Sequence, residues 1–468
     1  MRRAGLSAGP SHFRFRTIAA MSALRIAVVG SGPAGFYAAD ALLKSEEPQV
    51  EVDLIDRLPT PWGLVRLGVA PDHENIKAVS RAFEKTAAKP GFRFFGNVEV
   101  GSSVSHEELL SLYDAVVYTV GAQTDRRLGI PGEDLPGSWA ATAFVAWYNG
   151  HPDFQAHDFD LETERVVVIG NGNVAIDCAR MLGLTQEELA ATDTVDDAID
   201  AIVRSPLREI VLLGRRGPVQ AAFTPPEVKE LGELAGAEPV VDPRDLALDD
   251  ASKRELENDR DRARRNYDLL QAYSEREPEG KQRRIVLRFL VSPVAILGDG
   301  KVEAVEVVRN ELVEEDGRIV ARPTGETETI PCGLVLRSVG YKGVALPGVP
   351  FDERSGTIPN DRGRVEGAER TYAAGWIKRG PSGVIGTNKK DATETVELLL
   401  EDARAGRLSA PGGSLEELLE AKGVHYVEYT GWQAIDAAER GAGEPLGRPR
   451  VKLTAWETLL ETGRKITP

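Results

Sequence analysis

The chain is poor in cysteine, which limits the chemistry that its own side chains can perform. Its 468 residues include two cysteines, Cys178 and Cys332, which lie far apart and belong to no CxxC pair. A disulfide framework, an iron–sulfur cluster held by the chain itself and a CxxC redox centre are therefore all disfavoured. We predict no metal site, and any electron chemistry must be carried by a bound organic cofactor.

The sequence also lacks a long apolar run and an excess of positive charge. No apolar stretch approaches the roughly 18 residues that a membrane-spanning helix needs, so we expect no transmembrane segment. The formal net charge is −16 and the pI is about 5.1. This balance argues against general nucleic-acid binding, although a local basic patch could exist on an acidic body. We predict a cytoplasmic protein and favour a monomer.

Residues 1–20 stand apart because they contain four arginines and no acidic residue. This composition loosely resembles a mitochondrial transit peptide, which would place the protein in the mitochondrial matrix. The alternative is an upstream start codon or a disordered extension, since Met21 directly precedes the first predicted strand. We favour a disordered extension over residues 1–21, and the matrix stays open as the second location.

Glycine is abundant where the first predicted strand ends. The apolar run LRIAVV enters GSGPAG (residues 30–35), a helical stretch follows, and VEVDLID forms a second strand. In such a GxGxxG turn Gly30 permits the tight turn, Gly32 lets the backbone approach a pyrophosphate, and Gly35 lets helix and strand pack closely. The helix N-terminus binds the phosphates. Asp56 ends the second strand and is placed to accept hydrogen bonds from ribose hydroxyls, so the segment predicts a dinucleotide site.

A second turn of the same kind follows RVVVIG. It reads GNGNVA (residues 170–175), the GxGxxA variant, and a helical stretch comes directly after it. The next strand of this unit ends not in a carboxylate but in Arg215 and Arg216. A carboxylate would repel a 2′-phosphate, whereas two guanidinium groups bind it with charge-assisted hydrogen bonds. The second site should therefore select NADP over NAD.

The strand after the first glycine turn ends in a carboxylate and the strand after the second ends in two arginines. The two turns therefore indicate two different nucleotides. Since NADPH donates a hydride and the chain has no redox centre of its own, FAD is the expected acceptor at the first loop. We predict an α/β fold with two Rossmann-like dinucleotide-binding domains, the NADP domain being inserted into a discontinuous FAD domain. The expected bounds are 22–122 and 342–468 for the two parts of the FAD domain, the second with a C-terminal tail, and 123–341 for the NADP domain.

Several longer motifs are more specific than the glycine turns. They are PTPWGLVRLGVAPDH, VGAQTDRRLGIPGEDLPGS, GRRGPVQAAFTPPEVKEL, LVLRSVGYKG and GWIKRGPSGVIGTNKKDATETV. Together they resemble the adrenodoxin-reductase type of ferredoxin–NADP reductase, over nearly everything from Leu24 to GEPLGRPRVKL. The resemblance implies hydride transfer from NADPH to FAD, then single-electron transfer to a small iron–sulfur ferredoxin, with NADPH as the usual electron source.

The resemblance also implies binding residues. For FAD these are Gly30, Gly32, Ala34, Gly35, Asp56, Leu64, Val100 or Val98, Trp376, Gly383, Val384 and Ile385. For NADP they are Arg126, Asn171, Gly172, Asn173, Val174, Arg215, Arg216, Glu227 and Gly383. The chain departs from the family in two places: Asp56 stands where relatives often have Glu, and a proline pair precedes Glu227, which puts the reach of that carboxylate in doubt.

His73, in the turn APDH, is the candidate catalytic residue. The family places it near the flavin and the nicotinamide, where it could position groups or move a proton. We expect Asp177, on the helix after the second glycine turn, to pair with it, and Glu230 is a weaker candidate for the same neighbourhood. The alternative is a hydrogen-bonded turn histidine beside ordinary carboxylates, because hydride transfer needs orientation more than acid–base help.

The expected partner is a small acidic ferredoxin that docks on basic residues near the flavin edge. Candidates for that surface are Arg66, Lys77, Lys378, Arg379, Lys389 and Lys390. Two other functions stay open at this point. One is an NADPH diaphorase whose acceptors are quinones or dyes, and the other is a flavin-binding interaction protein that NADPH switches between conformations.

Removing one of the two selector arginines, as in Arg216→Gln, is expected to weaken NADPH binding. Losing one charge-assisted contact to the 2′-phosphate costs about 1.5–3 kcal/mol, which is roughly a ten- to hundredfold rise in dissociation constant. Equilibrium titration with NADPH measures the effect. NADH lacks the 2′-phosphate and serves as the control ligand, and an equal loss of affinity for both nucleotides would contradict the assignment.

Overall fold

The computed structural model describes residues 23–258, 261–383, 385–408 and 412–464. The predicted extension over residues 1–21 therefore lies outside the described part of the chain. Within the described part, no helix is both long enough and apolar enough to cross a membrane.

Strands and helices alternate along most of the chain. The strands are β1 Leu24–Val29, β2 Val50–Ile55, β3 Phe92–Phe95, β4 Ala115–Tyr118, β5 Thr124–Asp125, β6 Ser138–Ala140, β7 Arg165–Ile169, β8 Glu209–Gly214, β9 Ala237–Val241, β10 Arg283–Phe289, β11 Val291–Leu297, β12 Ala304–Glu315, β13 Arg318–Pro331, β14 Leu334–Arg337, β15 Tyr341–Lys342, β16 Asn360–Asp361, β17 Arg364–Val365 and β18 Thr371–Ala373.

The helices fill the intervals between these strands. They are α1 Pro33–Leu42, α2 Leu64–Leu67, α3 Glu74–Lys77, α4 Ser80–Ala87, α5 His106–Leu112, α6 Ala141–Tyr148, α7 Asn173–Gly183, α8 Gln186–Ala190, α9 Asp196–Arg204, α10 Pro225–Leu231, α11 Asp250–Asn258, α12 Arg262–Ser274, α13 Trp376–Arg379, α14 Ile385–Arg404, α15 Leu415–Ala421, α16 Tyr429–Gly443 and α17 Trp456–Thr462. Short 3-10 turns cover Pro152–Phe154, Pro218–Gln220, Pro243–Leu246 and Glu444–Leu446.

A seven-stranded sheet forms the first unit. Its order is β16-β17-β18-β4-β1-β2-β3, and the five strands from β18 to β3 run parallel. Parallel strands need covered faces, and here the side chains of Ile26, Val28 and Leu54 are fully buried. Because β16 to β18 come from late in the chain, the first unit is discontinuous in sequence.

The second unit is built on a six-stranded sheet of order β6-β14-β7-β8-β10-β9, in which every pairing is parallel. The antiparallel sheet β11-β12-β13 extends from the same stretch of chain. All of these strands lie between Ser138 and Arg337. The second unit is therefore an insertion into the first, as predicted.

The chain crosses between the units twice, and the two crossings lie side by side. β5 and β15 pair antiparallel, with Tyr341 opposite Asp125 and Lys342 opposite Thr124. The insertion thus leaves and returns at one place. The bounds 122/123 and 341/342 fall beside this pair of strands, and as domain limits they stay a prediction.

A buried ion cluster ties the C-terminal segment to the first unit. Glu439 on α16 accepts both ends of the Arg66 guanidinium, at 2.8 and 2.5 Å, and it also accepts from Arg450 at 3.0 Å. The Glu439 side chain is fully buried and the Arg66 side chain is 3 % exposed. Burial alone would raise the pKa of Glu439, but the two guanidinium groups lower it overall.

A second buried cluster joins the two units. Asp193, between α8 and α9, lies 2.6 Å from the ammonium of Lys77 and 3.1 Å from that of Lys452. Lys77 belongs to the first unit and Lys452 to the C-terminal segment, and the Lys452 side chain is fully buried. The two lysines share this one carboxylate, and burial lowers the pKa of both, that of Lys452 well below its usual value. The cluster thus brings side chains of both units and of the C-terminal segment into contact.

Glu439→Gln is expected to lower the free energy of unfolding by about 3–5 kcal/mol at neutral pH, because it leaves the buried Arg66 guanidinium without its counter-charge. Arg450 keeps a second carboxylate, Asp436, at 2.7 Å. The carboxylate stabilises the fold above its unfolded pKa of about 4.3, and this contribution is lost as the pH falls through its lower folded value. Urea unfolding followed by tryptophan fluorescence, at pH 7 and at low pH, measures the difference.

Glu457→Gln, at an exposed position on α17, is the matched control for this change. We expect it to shift the free energy of unfolding by no more than about 0.5 kcal/mol. Equal unfolding midpoints for the two variants at pH 7 would contradict the role given to Glu439.

Candidate active site

The first glycine turn connects β1 to α1 and packs against the end of β4. Gly30 has φ +105°, and a Cβ there would lie 2.7 Å from the carbonyl of Thr119. A Cβ on Gly35 would lie 1.9 Å from the Gly30 oxygen, whereas a Cβ on Gly32 would have no atom within 4 Å. The turn is thus closed on the protein side and open at Gly32, where a pyrophosphate would approach.

Asp56 is half-buried at the end of β2 and is already hydrogen-bonded within the turn. It accepts from the backbone N–H of Ser31 at 2.7 Å, from the Ser31 hydroxyl at 2.6 Å and from the N–H of Leu58 at 2.9 Å. Burial raises the pKa of Asp56, and these hydrogen bonds oppose that shift. The carboxylate therefore holds the turn in shape, in addition to the ribose contact predicted for it.

The C-terminal part of the first unit meets the first turn at Gly375. This glycine has φ +77°, and a Cβ on it would lie 2.6 Å from the Cβ of Ala34. Trp376 follows at the start of α13, with its ring 5.4 Å from that of Tyr341. Its Nε1 is buried and has no hydrogen-bond partner among the described residues, and the same holds for Trp62 Nε1.

The other predicted FAD residues lie on elements around the same turn. Leu64 is 38 % exposed at the start of α2. Val98 and Val100 are buried in one cluster beside Asp56, to whose carbonyl the Val98 N–H donates. Gly383 is exposed and Ile385 begins α14, while Val384 lies outside the described residues. An open glycine turn and two unpartnered indole N–H groups fit a bound flavin dinucleotide.

The second glycine turn connects β7 to α7 and repeats the geometry of the first. Gly170 has φ +140°, and a Cβ there would lie 2.2 Å from the Ser338 oxygen, while a Cβ on Gly172 would have no atom within 4 Å. The carbonyl of Asn171 accepts from two backbone N–H groups at 3.0 Å, and Asn173 Oδ1 accepts from Thr224 N at 2.9 Å. The two asparagines therefore brace the turn against the segment that leads to α10.

Arg215 and Arg216 follow β8, as the sequence predicts. Arg215 is exposed and Arg216 is half-buried. Their carbonyls accept from Asn310 Nδ2 at 2.9 Å and from Leu290 N at 3.1 Å, so the backbone is held in place. In the described ranges neither guanidinium lies within 4.0 Å of a carboxylate oxygen, which leaves both available to an anion.

Arg126 lies elsewhere, on the crossing between the units. Its backbone N–H donates to the Gly340 carbonyl at 2.9 Å, and its exposed side chain makes a long contact of 3.4 Å with the Ser355 carbonyl. Val174, in the first turn of α7, is half-buried and packs against the core of the second unit.

The predicted catalytic residues meet around a buried arginine that the sequence reasoning missed. Arg180, on α7, binds Asp72 with two hydrogen bonds of 2.6 and 3.1 Å and Asp177 at 2.8 Å. It lies 3.2 Å from Glu227 and 3.3 Å from Glu230, both on α10. The sequence holds one indication of this pairing. Arg180 follows Asp177 by three residues on a largely apolar helix, a spacing that places both side chains on one face.

His73 is held inside this cluster. Its Nε2 lies 2.9 Å from Glu230 and 3.7 Å from Glu227. Its Nδ1 lies 4.0 Å from Asp177 and 3.5 Å from Arg180. The direct hydrogen-bond partner of His73 is therefore Glu230, which the sequence ranked below Asp177.

The charges in the cluster perturb one another. Burial raises the pKa of both Asp177 and Glu227, and the neighbouring Asp177 adds to the shift of Glu227. The pKa of Asp72 is lowered, because its hydrogen bonds to Arg180 outweigh the effect of burial. His73, Asp177 and Glu227 present ligand atoms within 4.8 Å of one another. The guanidinium already supplies positive charge to these carboxylates, so we propose no metal ion there.

Comparison with known proteins agrees with this geometry. The sequence pattern of the pyridine nucleotide-disulphide oxidoreductases matches residues 24–211. NADPH-ferredoxin reductase FprA of Mycobacterium tuberculosis (strain ATCC 25618 / H37Rv) is 51 % identical over 451 residues, which is 94 % of this chain and 98 % of that protein. The chain belongs to the adrenodoxin-reductase-type ferredoxin–NADP reductases.

Two further members of this reductase family extend the comparison. The human mitochondrial NADPH:adrenodoxin oxidoreductase is 44 % identical over 454 residues, covering 93 % of this chain and 91 % of that protein. The solved structure of Mycobacterium tuberculosis FprA in complex with NADPH is 50 % identical and superposes with a TM-score of 0.90, over 94 % of this chain and 99 % of that one. The likeness therefore spans both units.

Glu227→Gln is expected to stabilise this reductase at pH 8 but not at low pH. A carboxyl group whose pKa is raised by folding destabilises the fold as the pH rises from its unfolded value of about 4.3 towards the higher folded value. Removing the charge removes that cost. Thermal unfolding midpoints of Glu227→Gln and wild type at pH 4 and pH 8 measure the difference.

Glu187→Gln, at an exposed site on α8, controls for the loss of one negative charge. It should show the same difference from wild type at both pH values. A Glu227→Gln protein that is less stable than wild type at pH 8 would show that ionised Glu227 is a net stabilising group.

Proposed function

We propose that this chain is an NADPH:ferredoxin oxidoreductase that holds FAD at its first glycine turn and binds NADPH at its second. The observation that carries the proposal is the joining of the two nucleotide units at His73 and Arg180. FAD supplies the ability to accept a hydride and to release electrons singly. The family relatives named for ferredoxin or adrenodoxin support an iron–sulfur ferredoxin as the acceptor.

In the first unit, the free N–H groups at the start of α1 bind the pyrophosphate of FAD across the open side of Gly32. Asp56 accepts a ribose hydroxyl through its remaining acceptor sites. The indole N–H of Trp376, buried and unpartnered among the described residues, donates to the flavin end. The full proposed set is Gly30, Gly32, Ala34, Gly35, Asp56, Leu64, Val98 or Val100, Trp376, Gly383, Val384 and Ile385.

In the second unit, the start of α7 binds the pyrophosphate of NADPH, and Arg215 and Arg216 bind its 2′-phosphate. Glu227 accepts a hydrogen bond from the nicotinamide end, where its reach is set by Arg180. The remaining proposed contacts are Arg126, Asn171, Gly172, Asn173, Val174 and Gly383. Hydride transfer itself moves no separate proton, so in that step His73 and Asp177 act by orienting the site. One proton per NADPH is released to solvent later, when the two electrons pass singly to the acceptor.

Four of the six basic residues predicted to bind ferredoxin already have partners within the protein. Arg66 and Lys77 are engaged in the two buried clusters. Lys378 is 7 % exposed and pairs with Asp391, and Arg379 donates to Asn388. Lys389 and Lys390, on α14, are exposed and pair with no carboxylate in the described part of the chain. We propose these two lysines as the docking contribution of α14, for a small acidic ferredoxin.

The double variant Lys389→Gln/Lys390→Gln tests both the acceptor and the surface. We expect a higher KM for ferredoxin and a weaker dependence of the rate on salt, because two exposed charges no longer attract the partner. The assay is NADPH-dependent reduction of cytochrome c with and without a ferredoxin, at two ionic strengths, and wild type is also run with NADH.

Lys301→Gln, an exposed lysine of the second unit, makes a matched change away from α14 and should leave the KM unchanged. Reduction of small dyes by NADPH should be equal in all three proteins. A wild-type rate that ferredoxin does not increase would instead favour the diaphorase, and failure of NADPH to bleach the flavin band would favour the conformational switch.

A further inference from the structure

The guanidinium of Arg180 is the most enclosed charge of the candidate active site. Its side chain is 2 % exposed and contacts carboxylates from three separate elements. Asp72 belongs to the turn before α3 in the first unit, Asp177 shares α7 with it, and Glu227 lies on α10. One side chain of the second unit thereby fixes a turn of the first unit, at the place where NADPH must meet FAD in the function proposed above.

Glu230 also lies 3.3 Å from this guanidinium, and three further groups nearby are neutral. Tyr148, Tyr341 and Cys178 lie around Asp177 and Arg180, and burial raises the pKa of all three. They therefore bring no charge at pH 7. Arg180 supplies one positive charge to the four carboxylates Asp72, Asp177, Glu227 and Glu230.

Arg180 also acts on His73 directly. A guanidinium only donates hydrogen bonds, so the His73 Nδ1 that faces it at 3.5 Å can accept from it only as the unprotonated nitrogen of the ring. The proton then resides on Nε2, which donates to Glu230 at 2.9 Å. Without Arg180, the nearest group to Nδ1 would be the Asp177 carboxylate at 4.0 Å, which favours a proton on Nδ1 instead.

We propose that Arg180 is a positioning residue for hydride transfer, which sets the tautomer of His73 and holds the Asp72–His73 turn against the NADP-binding helices. It touches neither nucleotide in this role, and it acts through the carboxylates and the imidazole. The 2′-phosphate selector at Arg215 and Arg216 is a separate group on another loop, so Arg180 bears on the affinity for NADPH only through its contact with Glu227.

Arg180→Met removes the charge and all donors but keeps an unbranched side chain. We expect the limiting rate of flavin bleaching by NADPH to fall about 100-fold, the effect of a small misplacement of the reacting groups, with a much smaller change in the dissociation constant for NADPH. Stopped-flow absorbance measures both. The ¹⁵N chemical shifts of the imidazole nitrogens of His73 report the tautomer, and we expect the proton to move from Nε2 to Nδ1.

Arg180→Lys separates charge from geometry, because an ammonium keeps the cation but not the planar fork of five donors. We expect it to retain the wild-type tautomer and to give a rate between those of wild type and Arg180→Met. If Arg180→Met fails to fold, this variant decides the question, since a full wild-type rate in Arg180→Lys would overturn the proposal.

Arg283→Met is the matched control. Arg283 is 3 % exposed in the same unit, and it donates to the carbonyls of Leu182 and Ile202 and to Ser205 rather than to carboxylates near His73. Its loss should lower stability without changing the His73 tautomer or the limiting rate.

The proposal is overturned if Arg180→Met keeps the wild-type tautomer and rate, or if Arg283→Met changes both as strongly. These outcomes differ from a failure of the proposed function. In that case wild-type flavin would not be bleached by NADPH at all, while the ¹⁵N shifts would still report whether Arg180 sets the tautomer of His73.

Discussion

A guanidinium taken out of water must be surrounded by counter-charges, because an unpaired buried charge costs several kcal/mol. Asp177 on the same helix supplies one counter-charge to Arg180, and Asp72 supplies another from the first unit. The pairing with Asp72 therefore favours an arrangement in which the two nucleotide units face each other. His73 lies in the same contact, with its Nδ1 3.5 Å from Arg180 and its Nε2 2.9 Å from Glu230.

The two units form their nucleotide turns in the same way and differ in the residues that end the following strand. Gly30 and Gly170 adopt positive φ, where a side chain would clash with a neighbouring carbonyl, and Gly32 and Gly172 leave space for phosphates. The strand that follows then ends in a carboxylate in one unit and in two arginines in the other. This single contrast is the basis on which we propose FAD for the first site and NADPH for the second.

The residues available to a protein partner are harder to predict from sequence than the glycine turns. Arg66 and Lys77 are basic and close in sequence to the first turn, yet both are buried against acids that lie 373 and 116 residues away. A one-dimensional pattern contains no information on such partners, because long-range pairing is decided by the packing of whole elements. Glu230 was ranked below Asp177 for the same reason, since the sequence could not say which acid would reach His73.

The sequence by itself determined the features that short-range chemistry controls. A strand, a glycine turn and a helix are adjacent in the chain, so the two dinucleotide folds and the insertion of one unit into the other could be predicted. Only the tertiary structure decided that Arg180 links Asp72 to Asp177 and Glu227, and which lysines stay free. Those outcomes depend on burial, which raises the energy of an unpaired charge and so selects among distant partners once the core has formed.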